Sequence, residues 1–427
     1  MPIFLDLFAG AGGLSEGFIQ AGFTPVAHIE MDKAACNTLK TRAAFHWLND
    51  NGNRELYNSY LARQISRQAF YDAIPAGILN TVLNYEISEE TLPEIFRQVD
   101  ILLNGRQLDI VIGGPPCQAY SIAGRSRSET NMVGDRRNYL YRLYAEFLRR
   151  YQPRCFVFEN VVGLLSAREE DGTLHLDNMR ALFKQCGYTT QYHILTASDY
   201  GVLQNRKRVI LIGVQGNRTR NFYPTIRPLK NWYTVNDLLS DLPHLHAGEG
   251  TVMPTETLHY TGRYLYRFHI KETDRAPVTY HQARPHTDQD LEIYRLAVEA
   301  WNNGHQRLSY ADIPEHLQTH ANTTSFLDRF KVVAGDLPSS QTIVAHIARD
   351  GHYFIHPDVS QNRSLTPREA ARIQTFPDNY YFEAVKDEPS RTVAFKQIGN
   401  AVPVQLAYRI AKALLSKFQR RGDRDHE

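Results

Sequence analysis

Ile110-Val111-Ile112-Gly113-Gly114-Pro115-Pro116-Cys117-Gln118 reads as a buried strand brought to a sudden stop. The β-branched run from Asp109 to Ile112 has the composition of a strand covered on both faces. Two glycines and two prolines end it, and a cysteine stands in the turn beyond. In an open parallel sheet, ligands bind in the crevice outside the carboxyl ends of the strands. A cysteine delivered there is placed for chemistry. A free cysteine is more often a small buried hydrophobe, but the Gly-Gly-Pro-Pro turn argues against that fate here.

Neighbouring stretches extend the pattern in both directions. Ile3 to Phe8 reads as a buried strand, Ala9-Gly10-Ala11-Gly12-Gly13 as a glycine turn, and Leu14, Phe18 and Ala21 as one face of a helix. Glycines let backbone approach a ligand, and a helix N-terminus offers free N–H groups. A second strand, Thr24 to Ile29, ends in Glu30, where folds of this type hold ribose hydroxyls. The turn lacks the G-x-G-x-x-G spacing of a pyrophosphate binder, so a nucleoside without phosphates is expected, S-adenosylmethionine (SAM) above all. Thr81 to Ile87 reads as a third strand with an acid, Glu86, at its end. On the other side, Tyr139 to Arg150 reads as an amphipathic helix ended by Pro153. Cys155 to Phe158 is the next strand, and Glu159-Asn160 stands at its end. Cys117 and Glu159 thus end consecutive strands and are expected to face one crevice. Between them, the segment from Ser121 to Arg137 suits a lid closing on substrate. Tyr192 to Leu195 and Val209 to Val214 read as an antiparallel pair around Gln204-Asn205-Arg206-Lys207-Arg208.

Composition excludes several classes. In 427 residues, 42% hydrophobic and 22% charged content mark an ordinary globular chain of two or three domains. No apolar run is long enough to cross a bilayer, and no signal peptide is apparent. Four scattered cysteines (Cys36, Cys117, Cys155, Cys186) form no C-x-x-C pair, which fits a reducing, cytoplasmic setting. A net charge of +2 does not announce a nucleic-acid binder, although arginines crowd residues 125–154 and 206–220. The histidines, including His244, His246, His346, His352 and His356, fit no zinc spacing, so no metal is expected.

Residues 33–80 read as a helical, polar insertion without chemistry. From Gln215 to about residue 345 the chain becomes rich in Pro, His and Thr and mostly irregular or β in character. Within it, Tyr260, Arg263, Tyr264, Tyr266, Arg267, Phe268 and His269 interleave aromatic and basic residues, as a nucleic-acid surface or a plain β-ribbon would. Order returns near residue 360. Thr366 is an expected N-cap, with Pro367 at the first helical position and Glu369 completing a capping box. The last helix carries Val404, Ala407, Ala411 and Leu414 on one face, and the tail from Arg420 is expected to fray. The expected organisation is therefore an α/β SAM-binding domain over 1–214, a smaller domain over 215–345, and a return segment over 346–427 completing the first.

Six stretches in order resemble the motifs of the DNA (cytosine-5)-methyltransferase family of bacterial restriction–modification systems. They are Asp6 to Gly13, Gly114 to Gln118, Phe158 to Val161, Gln204 to Arg208, Arg368 to Pro377 and Gln397 to Asn400. The resemblance implies a SAM-dependent Rossmann-like domain and a target-recognition domain over 215–345. It implies a reaction in which Cys117 adds to C6 of a flipped-out cytosine, Glu159 assists at N3 and Arg208 at O2, with Arg206 orienting the loop or phosphate. Ala123 stands where the family often inserts a polar side chain into the vacated base stack. For SAM, the resemblance implies Phe8 and Met31 against the adenine, Glu30 on the ribose, Glu86 and Ile87 at the adenine edge, and Pro116, Leu140 and Asn400 around the rest, beside Gly10, Gly12 and Gly13.

The expected activity is methylation of cytosine C5 in a specific duplex DNA sequence. The expected partners are double-stranded DNA and a restriction endonuclease cutting the same site, with the enzyme itself a monomer away from any membrane. A transfer-RNA cytosine-5 methyltransferase and a catalytically silent DNA-binding regulator are the rival readings. An NAD-linked oxidoreductase is disfavoured by the missing pyrophosphate fingerprint.

Overall fold

The computed structural model describes residues 1–116, 139–169, 171–217, 222–319 and 327–422. Cys117, Ala123 and the whole of the expected lid lie outside the described residues, as do Arg218, Arg220 and the end of the tail. The seven strands are β1 (Ile3–Leu7), β2 (Thr24–Glu30), β3 (Val82–Asn84), β4 (Ile110–Gly113), β5 (Cys155–Asn160), β6 (Tyr188–Thr196) and β7 (Lys207–Gln215). They form one sheet in the order β3-β2-β1-β4-β5-β7-β6. The first five run parallel, and β7 lies antiparallel between β5 and β6.

This order has a switch point. The chain leaves β1 outward to β2 and β3, then returns to place β4 on the other side of β1, with Leu7 opposite Gly113. Both the glycine turn and the Gly-Gly-Pro-Pro turn therefore open at adjacent strand ends, where helices diverge to opposite faces and leave a crevice. β1 alternates between two cores. Ile3, Leu5 and Leu7 join Val111, Phe156 and the Tyr144–Phe147–Leu148 face of the helix Leu140–Tyr151. Phe4 joins Ile110, Ile112, Val157 and Ile210 on the other face, under Leu14 and Phe18 of the helix Gly13–Ala21. Leu406, Ala407, Ile410, Ala411 and Leu414 of the helix Val404–Gly422 close that same core, so the end of the chain completes its beginning.

The rest departs from the sequence expectation in instructive ways. Lys33–Asp50 is one long helix, and the insertion is no appendix. Its Phe45, Tyr57, Tyr60 and Phe70 build a second core with Tyr264, Tyr280, Phe376, Phe382 and Phe395, from both the middle and the final segments. That core runs across the expected boundary at residue 345. Tyr260, Tyr264 and Phe268 are buried in it, which corrects their reading as a nucleic-acid surface: the aromatic members pack inward, and Arg263, Arg267 and His269 alone are exposed. The middle segment has little β structure among the described residues, a two-residue ribbon of Gly250–Thr251 with His281–Gln282. It contains instead a helix over Asp288–Gly304, started by a capping box between Thr287 and Asp290. Ile293, Tyr294, Ala297 and Val298 of that helix pack on Phe330 in a small core of their own. No helix among the described residues is long and apolar enough to cross a membrane.

Three basic residues of the 142–154 cluster are ordinary paired surface charges: Arg149 with Glu146, Arg150 with Asp100, and Arg154 with Asp109. The capped helix start is as expected, with Thr366 accepting from Glu369 N and Glu369 accepting from Thr366 N.

The closure of the sheet by the last helix is sterically tight at Gly17. A Cβ there would stand 2.5 Å from Ala407 Cβ and 2.6 Å from the Val404 carbonyl oxygen. In a free helix, Gly→Ala stabilises by about 1 kcal/mol. Here Gly17→Ala is expected to reverse sign and destabilise by about 2 kcal/mol through overpacking. Urea unfolding monitored by circular dichroism checks this through the shift of the transition midpoint, and a stabilised variant would contradict the packing.

Candidate active site

The ladder between β5 and β7 sets the site. Glu159 pairs with Ile210 and Asn160 with Val209, so the carboxyl end of β5 lies beside the first residues of β7. Arg208 there reaches Glu159, with its Nε 2.6 Å from Oε1. Both side chains are largely enclosed, at 12% and 14% exposure, so solvent screens the pair little. The carboxylate also leans over the neighbouring strand end. A Cβ on Gly114 would lie 2.4 Å from the Glu159 carbonyl oxygen and 2.7 Å from Oε2. Only a residue without a side chain allows that approach, and it brings the Glu159 carboxylate against the turn that leads into Cys117. Pro116, the last described residue before the cysteine, is exposed.

Asn160 is a further member of this cluster. Fully buried, it donates from Nδ2 to the Pro115 carbonyl at 3.4 Å, and its Oδ1 accepts from Val161 N at 2.9 Å. It ties the proline turn to the end of β5. A polar residue following an acid at the end of an apolar strand was the only sequence signal for it.

Arg206 requires a correction. The resemblance implies it among the catalytic residues, orienting the loop or phosphate. It is 1% exposed and points into the protein. Nη1 donates to the Ile343 carbonyl at 2.7 Å and Nη2 to the Gly399 carbonyl at 3.3 Å. The reason is local pairing: Ser340 N donates to Leu203 O and Asn205 N to Ser340 O, so the segment 340–343 covers this stretch. A buried guanidinium must then find acceptors, and carbonyls supply them. Arg206 is a positioning residue.

The expected cofactor residues fall into two groups. Phe8, Gly10, Glu30 and Met31 meet at the carboxyl ends of β1 and β2. Phe8 is half-buried with φ +57°, turning the chain into the glycine loop. Gly10 N donates to Glu30 Oε2 at 2.8 Å, and Asp32 N donates to Oε1 at 2.8 Å. Burial raises the Glu30 carboxyl above its usual range, opposed by those two donors. Where a Cβ on Gly10 would project there is no atom within 4 Å. Open space over a glycine turn, beside an oriented carboxylate and the exposed Met31, fits a ribose and base. Gly12 and Gly13 are buried beneath, against Tyr380 and Val402 respectively.

The other group is less convergent. β3 stops at Asn84, short of the expected Thr81–Ile87 span, because Asn84 turns its Nδ2 onto the carbonyls of Glu30 and Met31. Asn84, not Glu86, therefore ends the strand. Glu86 is exposed beyond it, and the Ile87 side chain is buried in the core rather than presented to the crevice. Leu140 begins its helix half-buried, and Asn400 is exposed at the end of the helix Arg391–Asn400.

A parallel sheet of this order, with one antiparallel strand inserted and open space over the glycine turn at its switch point, is the arrangement of the methyltransferase class. The family model for C-5 cytosine-specific DNA methylases matches residues 3–66 and 84–416, and the chain belongs to that family. It is a DNA cytosine-5 methyltransferase. It is 39% identical over 448 aligned residues to the type II methyltransferase M.Bpa9945I of Bacillus paralicheniformis, covering 96% of this chain and 98% of that protein. It is 29% identical to the type II methyltransferase M.DdeI of Desulfomicrobium norvegicum, covering 97% and 89%. Among solved structures, a prophage-encoded E. coli protein assigned as a DNA modification methyltransferase superposes with a TM-score of 0.60 at 22% identity, covering 97% and 99%, and so shares the fold.

The contact of Glu159 with Gly114 makes a test. Gly114→Ala is expected to displace the carboxylate and lower kcat roughly 100-fold while leaving the fold intact. Single-turnover methyl transfer with circular dichroism as the fold control measures it. Wild-type kcat would mean that the close approach has no catalytic consequence.

Proposed function

We propose that the enzyme methylates C5 of a cytosine everted from a specific duplex sequence, with Cys117 as nucleophile and the Glu159–Arg208 pair as the electrostatic partner of the ring. The 2.6 Å ion pair seated on the turn to Cys117 carries this reading. Cytosine C5 is a poor nucleophile. When the Cys117 thiolate forms a bond to C6, the C5–C6 π pair moves onto C5 and charge spreads to N3 and O2. The Arg208 guanidinium occupies Glu159 Oε1, which leaves Oε2 to hold a proton at N3, while the remaining guanidinium N–H groups suit O2. SAM, when bound, supplies the methyl as a sulfonium electrophile. A water then takes the C5 proton, the C5–C6 double bond re-forms and the thiolate departs.

Phe8, Gly10, Gly12, Gly13, Glu30 and Met31 would hold the adenosine. Glu86, Pro116, Leu140 and Asn400 complete the pocket by the family resemblance, whereas the Ile87 side chain belongs to the core. Glu30 keeps lone pairs for ribose hydroxyls beyond its two backbone bonds. Residues 215–345 would carry sequence recognition. The similarity to type II methyltransferases supports a modification role. An endonuclease of the same specificity, a monomeric enzyme and a cytoplasmic location complete the proposal.

Two measurements test this. Cys117→Ser is expected to reduce methyl transfer to background while SAM still binds; undiminished turnover would reject the mechanism. Duplex DNA with 5-fluorocytosine at the target is expected to trap a covalent adduct, because elimination needs the departing C5 proton. Methyl transfer to transfer RNA in preference to duplex DNA would overturn the substrate assignment.

A further inference from the structure

The glycine turn is held from beneath by a residue 369 positions further along the chain: the Tyr380 hydroxyl donates to the Ala11 carbonyl at 2.6 Å. Ala11 stands between Gly10 at φ +54° and Gly12 at φ +79°. Glycine has wide backbone freedom, so a residue flanked by two glycines is not held by its neighbours' torsions. The peptide from Ala11 to Gly12 is instead gripped on both edges. Its carbonyl takes the tyrosine hydroxyl, and its N–H donates to the Ala9 carbonyl at 2.9 Å.

The two glycines face different surroundings. Open space lies beyond Gly10, where the cofactor is placed. A Cβ on Gly12 would stand 2.8 Å from the Tyr380 hydroxyl. Gly12 thus leaves room for that hydroxyl, and the turn lies between a cofactor side and a tyrosine side. Tyr380 itself is firmly seated. It is buried, its ring lies 4.8 Å from that of Phe376, and the Arg42 guanidinium stands 4.7 Å over it. Arg42 in turn holds Glu16 of the helix Gly13–Ala21 with two donors and Asn379 with a third. The Tyr380 carbonyl accepts from Arg368 at 2.8 Å. Burial pushes the hydroxyl well above its ordinary titration range, so it remains a donor near neutral pH.

A turn already in its binding form removes the ordering cost of taking up a ligand. A buried carbonyl deprived of its donor would be left unsatisfied. We propose that Tyr380 is a positioning residue for SAM: its hydroxyl fixes the Ala11–Gly12 peptide, so that the glycine turn has its binding shape before the cofactor arrives. This rests on the reading of that turn as the cofactor site. It gives the return segment, through the loop after the helix Pro367–Ile373, a direct hold on the first turn of the chain.

Tyr380→Phe removes one oxygen and keeps the ring. Isothermal titration calorimetry is expected to show SAM binding weakened roughly 10-fold, with KM for SAM raised alike and kcat at saturating SAM unchanged. Tyr57→Phe is the control for stability. The buried Tyr57 donates from its hydroxyl to the Asn379 carbonyl at 2.7 Å, so its loss removes the same kind of bond one residue away from Tyr380. Wild-type SAM affinity is expected for it. Amide hydrogen exchange over residues 8–16 reads the turn itself, slow in the SAM-free wild type and faster in Tyr380→Phe. Unchanged SAM affinity in Tyr380→Phe, or equal weakening in both variants, would overturn the proposal. So would rapid exchange of the wild-type turn that SAM alone suppresses, a measurement that needs no variant. A wild-type enzyme that binds no SAM would instead fault the cofactor reading, while faster exchange in Tyr380→Phe would still show the hold on the turn.

Discussion

The contact on which the site depends is the approach of Glu159 to two strands at once. β5 is parallel to β4 on one side and antiparallel to β7 on the other. Parallel pairing brings the end of β5 beside the turn that ends β4. Antiparallel pairing brings the start of β7, with Arg208, to the same edge. A sheet parallel throughout would put the residue at the start of β7 at the opposite end of the crevice. The inserted antiparallel strand is therefore what lets a cation from its beginning meet an anion from the end of its neighbour, 2.6 Å apart and shielded from water. Gly114 is the cost-free complement, a position where any side chain would collide with the carboxylate.

Buried arginines hold the second unit to this sheet. Arg42 binds Glu16 beneath the glycine turn, Arg363 binds Glu369, and Arg372 binds both Asp241 and Asp378, the last with Lys271 also on Asp241. Arg206 and Arg368 donate to backbone carbonyls, and Arg368 also donates to the Thr279 hydroxyl. Where charges are enclosed, attraction to acid partners is set against desolvation. It draws Glu16 well below the ordinary carboxylate range although burial alone would raise it. Such pairs are a poor source of net stability, but breaking one by removing a partner is costly because a buried charge is stranded. Their effect here is specificity of assembly: Arg372 and Asp241 join positions 131 residues apart, Arg42–Glu16 and Lys271–Asp241 join separate elements 26 and 30 residues apart, and Arg363–Glu369 pins a helix start.

Much of the fold was legible because it rests on local rules. The apolar runs at β1, β2, β4, β5 and β7 announce strands, the glycine turn announces a strand-to-helix junction, and Thr366-Pro367-Arg368-Glu369 announces a helix start by capping chemistry alone. The reading failed where burial is decided by distant partners. Tyr264 and Phe268 lie among arginines in sequence and look like a surface, yet they fill a core with Phe45 and Phe376. The helix over Asp288–Gly304 lies among polar and proline-rich segments that mask its apolar face, although its capping box is as clear as the one at Thr366. β3 was drawn too long because nothing local foretold that Asn84 would bond to the carbonyls of Glu30 and Met31.

The order of motifs, the position of Glu159 at the end of a buried strand, and membership of the cytosine-5 methylase family follow from the sequence, because residue type and spacing encode strand ends and turns directly. What Arg206 does could come only from the tertiary structure. Two arginines two residues apart look alike in sequence. One faces a carboxylate across the crevice and the other is roofed by residues 340–343, a difference made by a segment more than a hundred residues away. Long-range pairing decides which polar group meets water, and therefore which can meet a substrate.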